Sequence, residues 1–304
     1  MPVEPNRITD YGQELKLSGR KDTTVSTVTQ RLALIAKGLD NNPCDLNNPY
    51  EVKEFLSKVK WQNSTKHTAV IDYTGYLRFL GKTWNKPKYT PQEKIYFIPT
   101  EAEIDQLIAA SCPNLAALLQ FLKETAVRIG EACKVEWADL DYQNKTATIN
   151  HPEKGSLPRL QRISDKLIAM LNQLPKTEKP VFLATTKQHG LRVTFEDMRA
   201  RTAEKLANPR LLKVHFHTFR HWKATTLMMK GTDSYFIRQL LGHKTATMTD
   251  RYINIVKSLL GNGDEQYICK CVEATDKIGI MRLIEDAYTK ADEADGIHFY
   301  RKRK

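Results

Sequence analysis

Chemistry first comes into view at His217-Thr-Phe-Arg220. On a helix, positions i and i+3 share a face, so an imidazole and a guanidinium there converge on one anion. With 8 histidines and 17 arginines in 304 residues, roughly half of one such pair is expected by chance. Alone it reads as a solvated helix face. Three further segments change the weighing. Ile237 to Leu241 reads as a helix closed by Gly242 as C-cap, with His243 just beyond. Tyr252 follows nine residues later, in Thr249-Asp-Arg-Tyr252-Ile. Upstream, Thr125-Ala-Val-Arg128-Ile-Gly-Glu131 offers an arginine with a carboxylate at i+3. Plain alternatives exist: an exposed Arg–Glu helix pair of little energetic worth for Arg128, a packed residue for Tyr252, and, for Lys154 at the tip of a hairpin further on, a solvated turn lysine.

Together these residues resemble the tyrosine recombinases, the family of the Xer, lambda-type integrase and Cre proteins. His217-Thr-Phe-Arg220 is similar to that family's HxxR box. The intervals of 23 residues from Arg220 to His243 and nine more to Tyr252 follow its Xer-type spacing. The segment Thr125–Glu131 resembles the first arginine box, and Lys154-Gly-Ser-Leu-Pro-Arg159 the family's hairpin. The resemblance spans about residues 99–256. It implies a mainly α (α+β) fold, with a helical core-binding domain and a catalytic domain with a small antiparallel sheet; the tail, by its own pattern, adds a C-terminal strand–helix–strand appendage. The resemblance also implies site-specific DNA recombination through a covalent 3′-phosphotyrosine.

The chemistry suits those residue types. Attack by a phenol oxygen on a phosphodiester puts extra charge on a pentacoordinate phosphorus, and planar guanidinium forks grip its oxygens better than lysine can. On the resemblance, Arg128 and Arg220 form that clamp and Tyr252 is the nucleophile. A phenol of pKa about 10 must lose its proton during attack. His217 is the expected base, His243 a phosphate hydrogen-bond donor, Lys154 the acid for the departing 5′ oxygen, and Glu131 an orienting carboxylate. Lys82, Lys86, Lys88 and Arg159 are the expected DNA contacts. No cofactor, ATP or metal is needed. His215, His217 and His221 make a weak metal site because acidic partners are missing nearby.

Other readings keep part of this machinery. A type IB topoisomerase would relax supercoils with the same site. A non-catalytic DNA-binding protein would carry it as a vestige, and a metal-dependent nuclease would need an ion. The expected partners are double-stranded DNA and further copies of the chain, as a tetramer on paired sites. The 52 residues after Tyr252 exceed the Xer pattern and resemble tails of archaeal integrase-like proteins.

The elements that must position these groups are mostly helical. Apolar spacing predicts helices over 24–37, from Pro49, and over 64–80. Thr100 with Glu103 forms a capping box ahead of helices at 104–110 and 115–126. Alternation at 145–151 and 160–163 predicts a hairpin, with Lys154 at its tip. Helical patterns cover 166–174 and dominate 195–260. In the tail, 267–272 and 296–300 read as strands around a helix over 276–288. The domains expected are 1–92 with a basic, proline-containing linker at 81–94, then 93–261, then 262–304.

Charge agrees with a polyanionic partner. The net +12 divides as +5 over 1–98, +8 over 99–261 and −1 over the tail, so the appendage adds nothing to it. With 41% hydrophobic and 27% charged residues, the chain has the composition of a folded protein, not a basic disordered tail. Five scattered cysteines exclude a disulfide scaffold and suit a reducing cytosol. No signal peptide or membrane span is read, so a cytoplasmic, nucleoid-associated location is expected.

Overall fold

A computed structural model describes residues 7–38, 43–92, 96–176, 180–182, 188–245, 247–260, 267–294 and 296–303. The expected boundary positions 93, 261 and 262 lie outside these residues. The chain divides into two compact units, Met1–Lys94 and Ile95–Lys304.

The first unit is built from α1 (Ile8–Leu17), α2 (Asp22–Lys37), α3 (Pro49–Lys58) and α4 (Asn63–Phe79). Asn48 caps α3, accepting from the Tyr50 amide, and Pro49 fills the first turn, where its missing N–H costs nothing. Leu32, Ile35, Val52, Leu56, Tyr73, Tyr76 and Leu77 close the core. The buried Tyr73 hydroxyl donates to the Leu46 carbonyl at 2.9 Å. The sequence pattern predicts no helix over α1, a short element of which only Tyr11 and Gly12 are buried, with Ile8 and Leu15 packed at the edge of the core. The stretch after α4 is not a free connection. Trp84 packs edge-on against Tyr73 at 4.8 Å and its indole N–H donates to Thr74 at 3.1 Å.

In the second unit, α5 (Glu101–Ala109) starts on the capping box of Thr100 and Glu103. The next helix, α6 (Pro113–Thr125), is buried along nearly its whole length. A short α7 (Ile129–Ala132) leads to an antiparallel sheet of β1 (Leu140–Asp141), β2 (Thr146–Ile149) and β3 (Arg159–Arg162), in that order. Then follow α8 (Asp165–Asn172), α9 (Gln188–Lys205), α10 (Phe216–Met229), α11 (Ser234–Leu241) and α12 (Thr247–Leu260). One core gathers Leu118, Leu122, Ile149, Leu167, Phe195 and Phe219. A second, made of Ala126, Ala224, Ile237, Leu241, Tyr252 and Ile255, lies among α6, α10, α11 and α12 and carries the site.

The tail holds β4 (Tyr267–Glu273), α13 (Lys277–Glu285), β5 (Thr289–Ala294) and β6 (Ile297–Arg303). Its sheet runs β4–β6–β5, all antiparallel, around a small cluster of Leu283, Tyr288 and Tyr300. The appendage is thus strand–helix–strand–strand. Strand β5, Thr-Lys-Ala-Asp-Glu-Ala, has a charged, low-propensity sequence that suits an edge and hides it from pattern reading. Among the described residues no helix is long and apolar enough to cross a membrane.

Candidate active site

Local backbone geometry brings the first arginine in. Helix α6 ends at Ala126 in the left-handed region (φ 54°), which turns the chain so that Arg128 becomes the N-cap of α7. There the Arg128 Nη1 donates to Glu131 Oε1 at 3.1 Å and to the Ser156 hydroxyl in the hairpin. Glu131 in turn accepts from the Arg128 amide at 3.0 Å and the Glu153 amide at 3.1 Å.

Arg159, expected from the sequence to contact DNA, has its side chain turned inward here. Its Nη2 donates to Glu131 Oε2 at 2.6 Å and its Nε to the Leu240 carbonyl at 3.0 Å. Glu131 is 1% exposed. Burial alone would raise its pKa, yet the Arg159 and backbone hydrogen bonds hold the carboxyl down to about 2.

Arg220 lies on α10, 1% exposed, and donates to two carbonyls at element ends: Ala126 at 2.8 Å and Leu241 at 2.7 Å. Burial, with Arg128 nearby, lowers its pKa to about 10, while Tyr252 and Glu131 act in the other direction. Arg128 and Arg159 therefore share the Glu131 carboxylate, and Arg220 is electrostatically coupled to all three, so among the described residues the positive charges outnumber the carboxylate that joins them. The uncompensated positive charge is what an anion would neutralise.

Beyond α11, His243 is buried, with Nδ1 2.9 Å from the Thr249 hydroxyl on α12. Tyr252, on the same helix, is 2% exposed and its hydroxyl lies 3.1 Å from His221 Nδ1. His217 is exposed on α10, and its ring meets that of His221 edge-on at 4.6 Å. Tyr96 stacks on the His221 ring itself, with centroids 4.0 Å apart and planes at 17°. Lys154 is exposed at the hairpin tip with φ 52°. His215 has Nδ1 3.0 Å from Arg199 Nη1.

Arg128, Glu131, Arg220, His243 and Tyr252 thus converge around the second core, while Lys154 and His217 sit at exposed positions. Lys82, Lys86 and Lys88 are exposed on the first unit. Sequence reasoning missed Tyr96 and Ser156, and gave His221 no role beside the tyrosine. The one available signal was that His221 follows His217 by four residues, on the same helical face.

Residues 99–258 match the profile of the phage integrase family, more than half of the chain. The chain belongs to that family. This integrase-family chain is 26% identical over 168 residues to the tyrosine recombinase XerC of Pediococcus pentosaceus, covering 52% of itself and 55% of that protein. It spans about half the length of the XerC relatives it matches. It shares its fold with the lambda integrase dimer bound to a COC′ core site (TM-score 0.65, 15% identity, 85% of this chain and 77% of that one). The lambda integrase tetramer bound to a Holliday junction gives a TM-score of 0.64 at 16% identity, covering 81% of this chain and 75% of that one.

Proposed function

We propose that this integrase-family chain cuts and rejoins duplex DNA at specific sites through a 3′-phosphotyrosyl link to Tyr252. The observation that carries the reading is the buried Arg128–Glu131–Arg159 network, electrostatically coupled to Arg220 and to the phenol of Tyr252. Arg128 and Arg220 grip the non-bridging oxygens of the scissile phosphate, and His243 adds a donor. A histidine of α10 takes the phenol proton as the Tyr252 oxygen attacks phosphorus. The bond to the 5′ oxygen breaks, and Lys154 at the hairpin tip supplies the proton for that leaving group. Attack by a 5′ hydroxyl of another strand reverses these steps, releases the tyrosine and seals the new joint. The energy of the broken phosphodiester is kept in the covalent link, so the cycle runs without ATP, and no step calls for a metal.

Four copies on paired sites are the assembly this reading takes from the lambda integrase tetramer on a Holliday junction. A suicide substrate, nicked so that the short 5′ fragment is lost after cleavage, tests the chemistry. The native chain should accumulate a covalent protein–DNA band and Tyr252→Phe none. Recombinant products from a circle with two sites support strand exchange; relaxation without exchange supports a topoisomerase instead. Binding with no covalent band would leave a DNA-binding protein.

A further inference from the structure

We infer that His221 accepts the phenol proton of Tyr252, and that Tyr96 fixes and supports that imidazole by stacking on its face. The inference deepens the strand-transfer reading and rests on it. His221 Nδ1 lies 3.1 Å from the Tyr252 oxygen, inside the range required of a general base. Both side chains are buried, His221 at 7% and Tyr252 at 2% exposure, so the proton passes without bulk water between them. His217, the base expected from the family resemblance, is exposed, and its ring meets that of His221 at right angles with centroids 4.6 Å apart.

Proton acceptance needs an Nδ1 that is free of hydrogen at the moment of attack, with the proton of the neutral ring on Nε2. On attack the O–H bond of Tyr252 breaks and the proton moves to Nδ1. The phenol oxygen forms its bond to phosphorus, and the ring becomes an imidazolium. Tyr96 stacks almost parallel to that ring at 4.0 Å between centroids. A cation over the face of an aromatic ring is attracted by the ring quadrupole, so the same stack that sets the imidazole plane also favours its charged form. Tyr96 packs against the hydrophobic cluster that includes Ala126, Ile237, Leu241 and Tyr252, which fixes it beside both partners. Ring contacts to His221 among the described residues include Tyr96, Tyr252 from α12 and His217 from its own helix. Tyr96 is a positioning residue; His221 touches the reacting atom.

Single-turnover cleavage of the nicked suicide substrate separates the roles. His221→Gln should slow formation of the covalent band by about 10²–10⁴-fold, the usual contribution of a positioned base, at unchanged DNA affinity. The small base imidazole, added to His221→Gly, should restore part of the rate. Tyr96→Leu guards against a mere folding defect. Loss of the aromatic face makes the imidazolium harder to form, so the acid limb of the pH–rate profile should move to lower pH while the plateau falls. Tyr96→Phe should keep both at native values. If the native chain forms the covalent band and His221→Gln forms it within threefold of the native rate, the base is another group and the inference fails. An unmoved acid limb in Tyr96→Leu removes the role given to Tyr96. If the native chain forms no band at all, the strand-transfer reading beneath it is what has failed.

Discussion

Arg159 and Glu131 are joined by a 2.6 Å bond between two side chains that are almost wholly withdrawn from solvent, at 7% and 0% exposure. That pair ties the hairpin strand β3 to the first arginine box, and through the Leu240 carbonyl to the end of α11. An arginine that looks in the sequence like a DNA contact is thereby part of the frame that aims Arg128.

Breaking this pair by removing one charge should be costly, because the remaining charge stays buried and uncompensated. Arg159→Met should lower the unfolding free energy by about 3–5 kcal/mol, the range for an orphaned buried ion. Glu131→Gln should fall within the same order and also remove the charged partner of Arg128, leaving it held by the Ser156 hydroxyl. Urea titration of each variant, beside the suicide-substrate rate, measures both effects. A loss below about 1 kcal/mol would mean that solvent reaches the pair.

The same carboxyl sets a pH dependence. Its folded-state pKa is held down to about 2, below the ordinary 4.5. A depressed carboxylate contributes stability that is fully present above its unfolded pKa and is lost as pH falls through the folded value. Stability should therefore decline between about pH 5 and pH 2, by on the order of 3 kcal/mol from this group. In Glu131→Gln that part of the decline should vanish, which acid titration followed by circular dichroism would record.

Gly242 is where α11 meets the hairpin. It has φ 66°, and a Cβ there would sit 2.9 Å from Arg159 Nη1 and 3.3 Å from the Leu157 carbonyl oxygen. Gly242→Ala therefore combines left-handed strain of about 1–2 kcal/mol with displacement of the guanidinium from Glu131. The expected result is a lower melting temperature and a slower cleavage rate with DNA affinity retained. A variant with native melting and native rate would show that the hairpin yields freely.

Much of this arrangement could be read from residue types and spacing, and the parts that could not share a cause. Helices such as α2 and α4 were legible because their apolar residues recur on one face, α6 because it is apolar along most of its length, and α5 because its capping box is written in Thr100 and Glu103. Helix α1 and strand β5 were not, since one buries only two residues and the other is a charged edge. At the site, spacing identified which polar groups share a helix face. It carried no information on what covers that face from another element. Arg159 turning to Glu131, and Tyr96 closing over His221, are set by packing between segments 28 and 125 residues apart.

The exposed lysines of the first unit should account for part of the salt dependence of DNA binding. Trp84, held by Thr74 and Tyr73, orders the segment that carries Lys82, Lys86 and Lys88. If each neutralises one phosphate, replacing all three with alanine should reduce the slope of log affinity against log salt by about 2.7, at roughly 0.9 per contact. Trp84→Ala should weaken binding without removing any charge, because the lysines then lose their fixed spacing. Fluorescence anisotropy with a duplex, over a range of potassium chloride concentrations, distinguishes the two effects. An unchanged slope in the triple variant would assign these lysines to solvent and move the DNA-gripping charge to residues 96–260, where the larger excess of positive charge resides.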